Sequence, residues 1–392
     1  MEKVVILSAT RTPIGKYGKT LADIKATELG AIAVRESVKR AGIDAKAVDE
    51  CIMGNVISAG LGQNPARQAA VHGGLPVEIG STTVNAVCGS GLKAAMFAAD
   101  SIKAKQYDVI VAGGMENMSS APYLMPGARW GYKMNDQTVK DAMVHDGLWD
   151  IFNNMHMGFT GEIVAERFKV TREETDQLAY ESNMKAAAAI KNGKFRNEIV
   201  PVTIKQKKGD IVMDTDEGVR DDTTVEALAK LRPVFKSDGI VTAGNSSQLS
   251  DGGAALVVSS ERFAKEHGIK PLVSIEAYGE RGVKPEHIME APIPTTEYVL
   301  KRAGMKIDDI DLFEHNEAFA SASVAVMKGL NVPGEIFNVN GGAVALGHPI
   351  GCSGARVLTT LIHAMMDRQK ETGLATLCLG GGNAVTMIVR RY

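Results

Sequence analysis

Short, wholly apolar runs alternate along this chain with longer stretches that are apolar on one helical face. Residues 4–8 read as a buried strand, 28–41 as an amphipathic helix, 81–87 as a strand, 91–103 as a second helix and 109–112 as another buried strand. A similar succession runs from residue 272 to the end of the chain. Short buried strands mixed with helical patterns of ~10–15 residues predict an α/β chain with helices packed on sheets.

The succession is used twice. Lys39-Arg40-Ala41-Gly42 returns as Lys301-Arg302-Ala303-Gly304, and Asp49 returns as Asp311, both at an offset of 262. Ser90-Gly91 matches Ser353-Gly354 at 263, and Gly113-Gly114 matches Gly380-Gly381 at 267. Because the order is kept while the offset drifts slowly, two halves of similar topology explain the chain better than one continuous domain. Val84-Asn85 matches Val339-Asn340 at 255, so the second copy has gained eight residues before its Ser-Gly pair, and Gly347-His348-Pro349 lies among them. Residues 119–249 fit neither copy. They are rich in Met, Asn and Asp, contain Pro122 and Pro126, and carry a basic stretch at Lys205, Lys207 and Lys208. The expected division is therefore a first domain from 1–118 with 250–270, an inserted loop or lid domain at 119–249, and a second domain at 271–392. Insertions over a rigid scaffold commonly carry specificity.

Composition narrows the function classes. A chain of 392 residues, 45% hydrophobic, can bury two or three cores. A formal net charge of -2 provides no global field for nucleic acid or an anionic membrane. No apolar run approaches the ~18 residues of a membrane helix, and the opening run is too short for a signal peptide, so a soluble cytoplasmic protein is expected. Cys51, Cys88, Cys352 and Cys378 include no C-x-x-C pair. That predicts free thiols in a reducing compartment and, with no paired ligand spacing, no metal site.

Four segments carry candidate chemistry. Cys88 follows Asn85-Ala86-Val87 and precedes Gly89-Ser90-Gly91, where a strand pattern ends and a helix pattern begins. An isolated cysteine is by default a small core residue, but a helix N-terminus favours a thiolate and predicts a pKa below the usual ~8.5. His348 lies in a glycine-rich loop ahead of another helix, beside the same turn in the pseudo-symmetric copy, which makes it a candidate base for a thiol. Cys378 precedes Leu379-Gly380-Gly381-Gly382, whose exposed N–H groups suit an oxyanion. A phosphate loop is the rival for those glycines, but neither Gly-x-x-x-x-Gly-Lys nor a GxGxxG opening a helix is present. Glu314-His315-Asn316-Glu317-Ala318-Phe319-Ala320 is either a polar cluster for water or carbonyl binding or a capped helix start.

Taken together, these segments resemble the thiolase family from Val4 to Arg390. The resemblance rests on residues 85–91, Gly113-Gly114-Met115-Glu116-Asn117-Met118-Ser119, Asn316-Glu317-Ala318-Phe319, 340–354 and 378–382. It implies a duplicated five-layered α-β-α-β-α fold with a loop domain covering coenzyme A. It also implies that Cys88 is acylated after activation by His348, and that Cys378 moves the α-proton of a second thioester. One oxyanion site would combine His348 with a water held by Asn316, the other the N–H groups of Cys88 and Gly380. Arg220 would lie near the nucleotide and Ser247 along the pantetheine arm, with Leu148, His156, Met157, Phe235, Ala243, Leu249, Ala318 and Phe319 lining the tunnel. The substrates implied are acetyl-CoA, acetoacetyl-CoA and CoA, with no separate cofactor, and the assembly implied is a homotetramer built through the covering loop, with a dimer as fallback.

Within the family, Gly147-Leu148-Trp149-Asp150 and His156-Met157-Gly158 resemble the short-chain acetoacetyl-CoA branch, whereas Gly351-Cys352-Ser353-Gly354 and Asn245-Ser246-Ser247 resemble broader 3-ketoacyl-CoA thiolases. Ile288 stands where short-chain members often carry Met, and Ala384 replaces a usual glycine. Acetyl-CoA C-acetyltransferase is the expected activity, with a broader-chain thiolase as alternative. A malonyl-decarboxylating condensing enzyme and a non-catalytic acyl-CoA carrier are the other readings, and retention of Cys378 and the remaining reactive groups argues against both. Cys51 and Cys352 read as structural.

Overall fold

A computed structural model describes residues 2–207 and 209–392; Lys208 of the basic stretch lies outside the described residues. The first copy of the fold runs β1 (Val4–Arg11), α1 (Ala26–Ala41), β2 (Glu50–Gly54), α2 (Pro65–His72), β3 (Gly80–Val84), α3 (Ser90–Lys103) and β4 (Val109–Asn117). A segment containing α4 (Met157–Phe168) and α5 (Arg172–Lys191) leaves the sheet before β5 (Ser250–Ser260) rejoins it. The second copy runs β6 (Val273–Gly282), α6 (Pro292–Ala303), β7 (Leu312–His315), α7 (Ala320–Leu330), α8 (Ile350–Arg368), β8 (Thr372–Leu379) and β9 (Asn383–Arg391).

The strands read as continuous apolar runs because both faces are buried. Along β1, Val4 and Ile6 face the central core while Val5 and Leu7 face the outer one, and β4 and β5 alternate in the same way. β1 and β4 extend beyond the apolar residues that predict them. Their last residues include Arg11 and Glu116, buried polar side chains with buried partners. The strand expected at 81–87 stops at Val84, because the chain then turns back through Ala86–Cys88.

The duplication is physical. The first sheet has the order β3-β2-β4-β5-β1 and the second β7-β8-β9-β6, with parallel pairing at one end and antiparallel at the other. The place of β3 is taken in the second copy by a single parallel bridge between Phe313 and Phe337. The matched aspartates occupy equivalent positions: Asp49 Oδ2 accepts the N–H groups of Asp108 and Val109 at 2.8 and 2.9 Å, and Asp311 Oδ2 those of Glu371 and Thr372 at 3.0 and 2.9 Å. Each ties the start of one strand to its neighbour.

The two sheets meet where β1 pairs with β6 through Val5–Ser274 and Ile6–Val273. They enclose α3 and α8, while α1 and α2 cover the first sheet outside and α6 and α7 the second, giving five layers. Arg11 ties this scaffold to the inserted segment. Its Nε donates to Glu198 at 2.6 Å and its Nη1 and Nη2 to the two oxygens of Asp216 at 2.7 and 2.8 Å, with all three side chains buried.

At the centre α3 crosses α8, and the repeated Ser-Gly pairs explain how closely. A Cβ on Gly91 would stand 2.6 Å from the Ala355 nitrogen, and one on Gly354 would stand 2.3 Å from the Leu92 nitrogen. Only glycine permits this approach of backbone to backbone. Gly354→Ala is expected to lower stability by ~1–3 kcal/mol through overpacking and to reduce activity by separating the helix starts. Urea unfolding and specific activity measure the two effects, and a variant with wild-type values in both would refute the role given to the crossing.

Candidate active site

Cys88 sits in a tight turn ahead of α3. Val87 has φ 47°, a left-handed conformation costly for a β-branched residue, and a hydroxyl holds it there. Ser90 Oγ donates to the Val87 carbonyl at 2.6 Å and accepts the Ala86 N–H at 2.9 Å, while Asn85 Oδ1 accepts the Val87 N–H at 3.0 Å. Strain of this kind marks a position that the surroundings impose.

His348 is placed by the corresponding loop of the second copy. Gly347 adopts φ 107°, and a Cβ there would stand 2.3 Å from Ser250 Oγ. The His348 N–H donates to the Gln248 carbonyl at 3.0 Å and to Ser250 Oγ at 3.2 Å. Its ring nitrogen Nδ1 lies 2.5 Å from Ser353 Oγ, and Ser353 donates its own proton to the Pro349 carbonyl at 2.9 Å. A hydroxyl has one proton, so Nδ1 must be the donor to Ser353, leaving Nε2 as the basic nitrogen. Asn316 Nδ2 lies 3.4 Å from that Nε2.

Cys378 is the penultimate residue of β8, opposite Ala384 on β9, and its thiol lies 3.8 Å from Met289 Sδ. The backbone N–H groups of Cys88 and Gly380 favour the charged form of the Cys88 thiol. A Cβ on Gly380 would press on Val87 at 3.0 Å, so a glycine there protects the turn that carries Cys88.

Cys88, His348, Cys378 and Gly380 line one cavity of about 60 Å³, whose other walls include Leu148, Met157, Ile288, Met289, Ala318 and Phe319. It adjoins a second cavity of about 220 Å³ lined by His156, Phe235, Ser247 and Leu249 among others. The inserted segment supplies much of this wall. Trp149 pairs with His156 and Asp150 with Met155, so the Met157 N–H reaches the Leu148 carbonyl at 2.8 Å. Phe235 stacks on His156 with centroids 4.8 Å apart, and Ser247 donates its N–H to the Ala318 carbonyl at 3.0 Å. Arg220, Ala243 and Asn316 line neither cavity: Ala243 is exposed, Arg220 is half-buried with its N–H on Asn183 Oδ1 at 2.9 Å, and Asn316 is buried against His348.

Burial sets the electrostatics. The low thiol pKa expected for Cys88 is not what the surroundings produce. Burial, followed by the neighbouring Cys378, pushes it well above the ordinary range, against the pull of two backbone N–H groups. The helix terminus is outweighed because its thiol is enclosed by apolar walls. Burial also raises Cys378 to about 12, while burial and then Arg356 lower His348 to about 3. The resting site is thus two neutral thiols and a neutral imidazole. Cys51 and Cys352 are buried in the cores, and among the described residues no group of three or more His, Cys, Asp or Glu is arranged to hold a metal.

Ser353, Met289 and Glu116 have roles that sequence reasoning missed. Glu116 is fully buried, with its carboxyl pushed up to about 7 by burial, against the N–H groups it accepts. Those come from Val56, Ile57 and Gly351 at 3.0, 3.2 and 2.9 Å, together with Asn55 Nδ2 at 2.9 Å. It therefore joins β4 to the loop carrying His348. Its place beside a strand of continuous apolar residues was the available signal.

A duplicated α/β scaffold that brings two cysteines and a histidine to one apolar cavity defines a class of thiol-dependent protein. Within that class, a family model described as "Thiolase, N-terminal domain" matches residues 4–262 and one described as "Thiolase, C-terminal domain" matches residues 269–391. The chain belongs to the thiolase family. It is 51% identical to an acetyl-CoA acetyltransferase of Pseudomonas aeruginosa and 50% identical to a probable acetyl-CoA acyltransferase of Staphylococcus aureus, covering all of both chains in each case. The crystal structure of the Bacillus anthracis acetyl-CoA acetyltransferase superposes with a TM-score of 0.98 at 42% identity, covering 100% of this chain and 99% of that one.

Replacing Glu116 by Gln sets an amide N–H₂ against converging N–H donors, so one buried donor loses its acceptor. The expected cost is ~1–3 kcal/mol, with lower activity as Gly351 shifts. Thermal melting and a rate assay check this, and an unchanged melting temperature would count against the role assigned to the carboxylate.

Proposed function

We propose that this chain is an acetyl-CoA C-acetyltransferase, interconverting two acetyl-CoA with acetoacetyl-CoA and CoA. The observation that carries the reading is the shared cavity of Cys88, His348, Cys378 and Gly380. Neutral groups suit the cycle, because each proton moves only when a bond is made. His348 Nε2 takes the Cys88 proton as the sulfur attacks acetyl-CoA, and the Cys88 and Gly380 N–H groups meet the tetrahedral oxyanion. The departing CoA thiolate takes the Cys378 proton. This leaves acetyl-Cys88, an imidazolium and a Cys378 thiolate. That thiolate removes an α-proton from a second acetyl-CoA, the His348 Nε2–H and a water held by Asn316 stabilise the enolate oxygen, and the α-carbon attacks the acetyl group. Collapse expels Cys88 thiolate, which recovers its proton from His348. The cycle needs no cofactor beyond the CoA thioester.

Residues 119–249 are proposed to cover CoA, with Ser247 along its pantetheine arm and Arg220 near its nucleotide at the tunnel mouth. The four free cysteines agree with a reducing compartment such as the cytoplasm; no described helix is long and apolar enough to cross a membrane. A broader-chain thiolase is the second reading, favoured by Ile288 on the cavity wall. Where Tyr123 and Leu124 pair with Asp141 and Lys140 in the inserted segment, Tyr123, Met125, Trp130 and Met134 are exposed, with Trp130 at 86% and Met134 at 88%. Such apolar exposure supports association, and the assembly proposed is a homotetramer; light scattering is expected to give the mass of four chains, and a monomer mass would refute it.

Cys88→Ala is expected to lower thiolysis of acetoacetyl-CoA by at least ~10³-fold. Cys378→Ala should still gain an acetyl group on Cys88, more slowly because CoA then leaves without that proton, read by intact mass, while condensation is lost. Full activity in Cys88→Ala would sink the mechanism. Undiminished thiolysis as the 3-ketoacyl chain is lengthened from four carbons would replace the short-chain reading by the broader one.

A further inference from the structure

Arg356 is wholly buried on α8, three residues after Ser353, and does not line the cavity. Its Nη1 donates to Glu314 Oε1 at 3.2 Å and its Nη2 to Asn316 Oδ1 at 3.5 Å, while its Nε has no partner. A buried ion pair adds little stability over apolar residues of the same volume, so a charge at this place calls for another account.

We propose that Arg356 is a positioning residue that fixes which way the Asn316 amide faces, and thereby the hydrogen-bond polarity of the enolate site. The inference rests on the thiolase reading above. A guanidinium has donors only, and Oδ1 is the sole acceptor of the amide, so Oδ1 turns to Arg356 and Nδ2 turns to the imidazole of His348, which lines the cavity. Nδ2 is found beside that ring, 3.4 and 3.5 Å from its two nitrogens. The Asn316 backbone is already held, with its N–H on the Thr376 carbonyl at 3.2 Å and its carbonyl accepting the Ala318 N–H at 2.8 Å. Rotation of the amide is the freedom that remains.

The direction matters for charge. A water that accepts from Nδ2 keeps both protons for other partners, including the enolate oxygen. The reversed amide would present Oδ1, consume one of those protons and place a partial negative charge beside the developing one. Ser353 does for the imidazole what Arg356 does for the amide: each sets the donor direction of one of two neighbouring groups. Successive turns of α8 thus orient both members of one oxyanion site.

Deuterium uptake from D₂O into the methyl group of acetyl-CoA reads enolisation, and intact mass after mixing with acetyl-CoA reads acetylation of Cys88. Arg356→Met strands the Glu314 carboxyl, so Arg356→Met with Glu314→Gln, which removes both charges, is the principal variant. It is expected to lose ~10–100-fold in deuterium uptake while acetylation stays within ~3-fold. Arg356→Lys, still a donor-only cation, is expected to retain more uptake than the double variant. A parallel fall of both rates, or no fall in uptake, would overturn the positioning role. Failure of the wild-type chain to acetylate Cys88 would be a different result and would overturn the acyltransferase reading itself.

Discussion

The close crossing of α3 and α8 at Gly91 and Gly354 is the constraint on which the remaining architecture depends. Two helices that start side by side bring their preceding loops together, and those loops carry Cys88 and His348. Neither copy of the fold alone contains the site. Cys88 comes from the first half, His348 and Cys378 from the other, and part of the cavity wall from a segment belonging to neither. Duplication supplies the approximate symmetry, and the eight residues gained by the second copy break it where a histidine is needed.

The site is enclosed, and enclosure decides its chemistry. In water a thiol beside an imidazole would share a proton freely. Among apolar walls the charged forms are expensive, so the groups remain neutral until substrate arrives. The oriented donors around the cavity then matter more than any permanent charge, since a low dielectric magnifies each of them. Ser353, Glu116 and the backbone at Gly380 serve by direction: each fixes the position or orientation of a reacting group or its loop.

Much of the scaffold was legible because it obeys local rules. Buried strands announce themselves by apolar runs, and matched Lys-Arg-Ala-Gly and Asp residues declared the duplication before any pairing was known. That Cys88, His348 and Cys378 belong together was readable because glycine and serine surround them in patterns a core does not need. Val87 was not readable: nothing in a valine announces φ 47°, which arises from hydrogen bonds made by Ser90 and Asn85. The thiol pKa expected from the helix terminus was reversed by burial that is contributed by residues far away in the chain. Arg220 and Ala243 were placed by resemblance alone, and the cavities do not reach them.

Arg11 gives the inserted segment a character that its loop-rich composition conceals. With its guanidinium clasped by Glu198 and Asp216 out of reach of water, the end of β1 acts as a rivet between scaffold and cover. A cover so fastened behaves as masonry rather than as a door. The ordering entropy of the cavity wall is then incurred once, when the chain folds, and a flexible substrate entering the cavity need surrender only its own freedom.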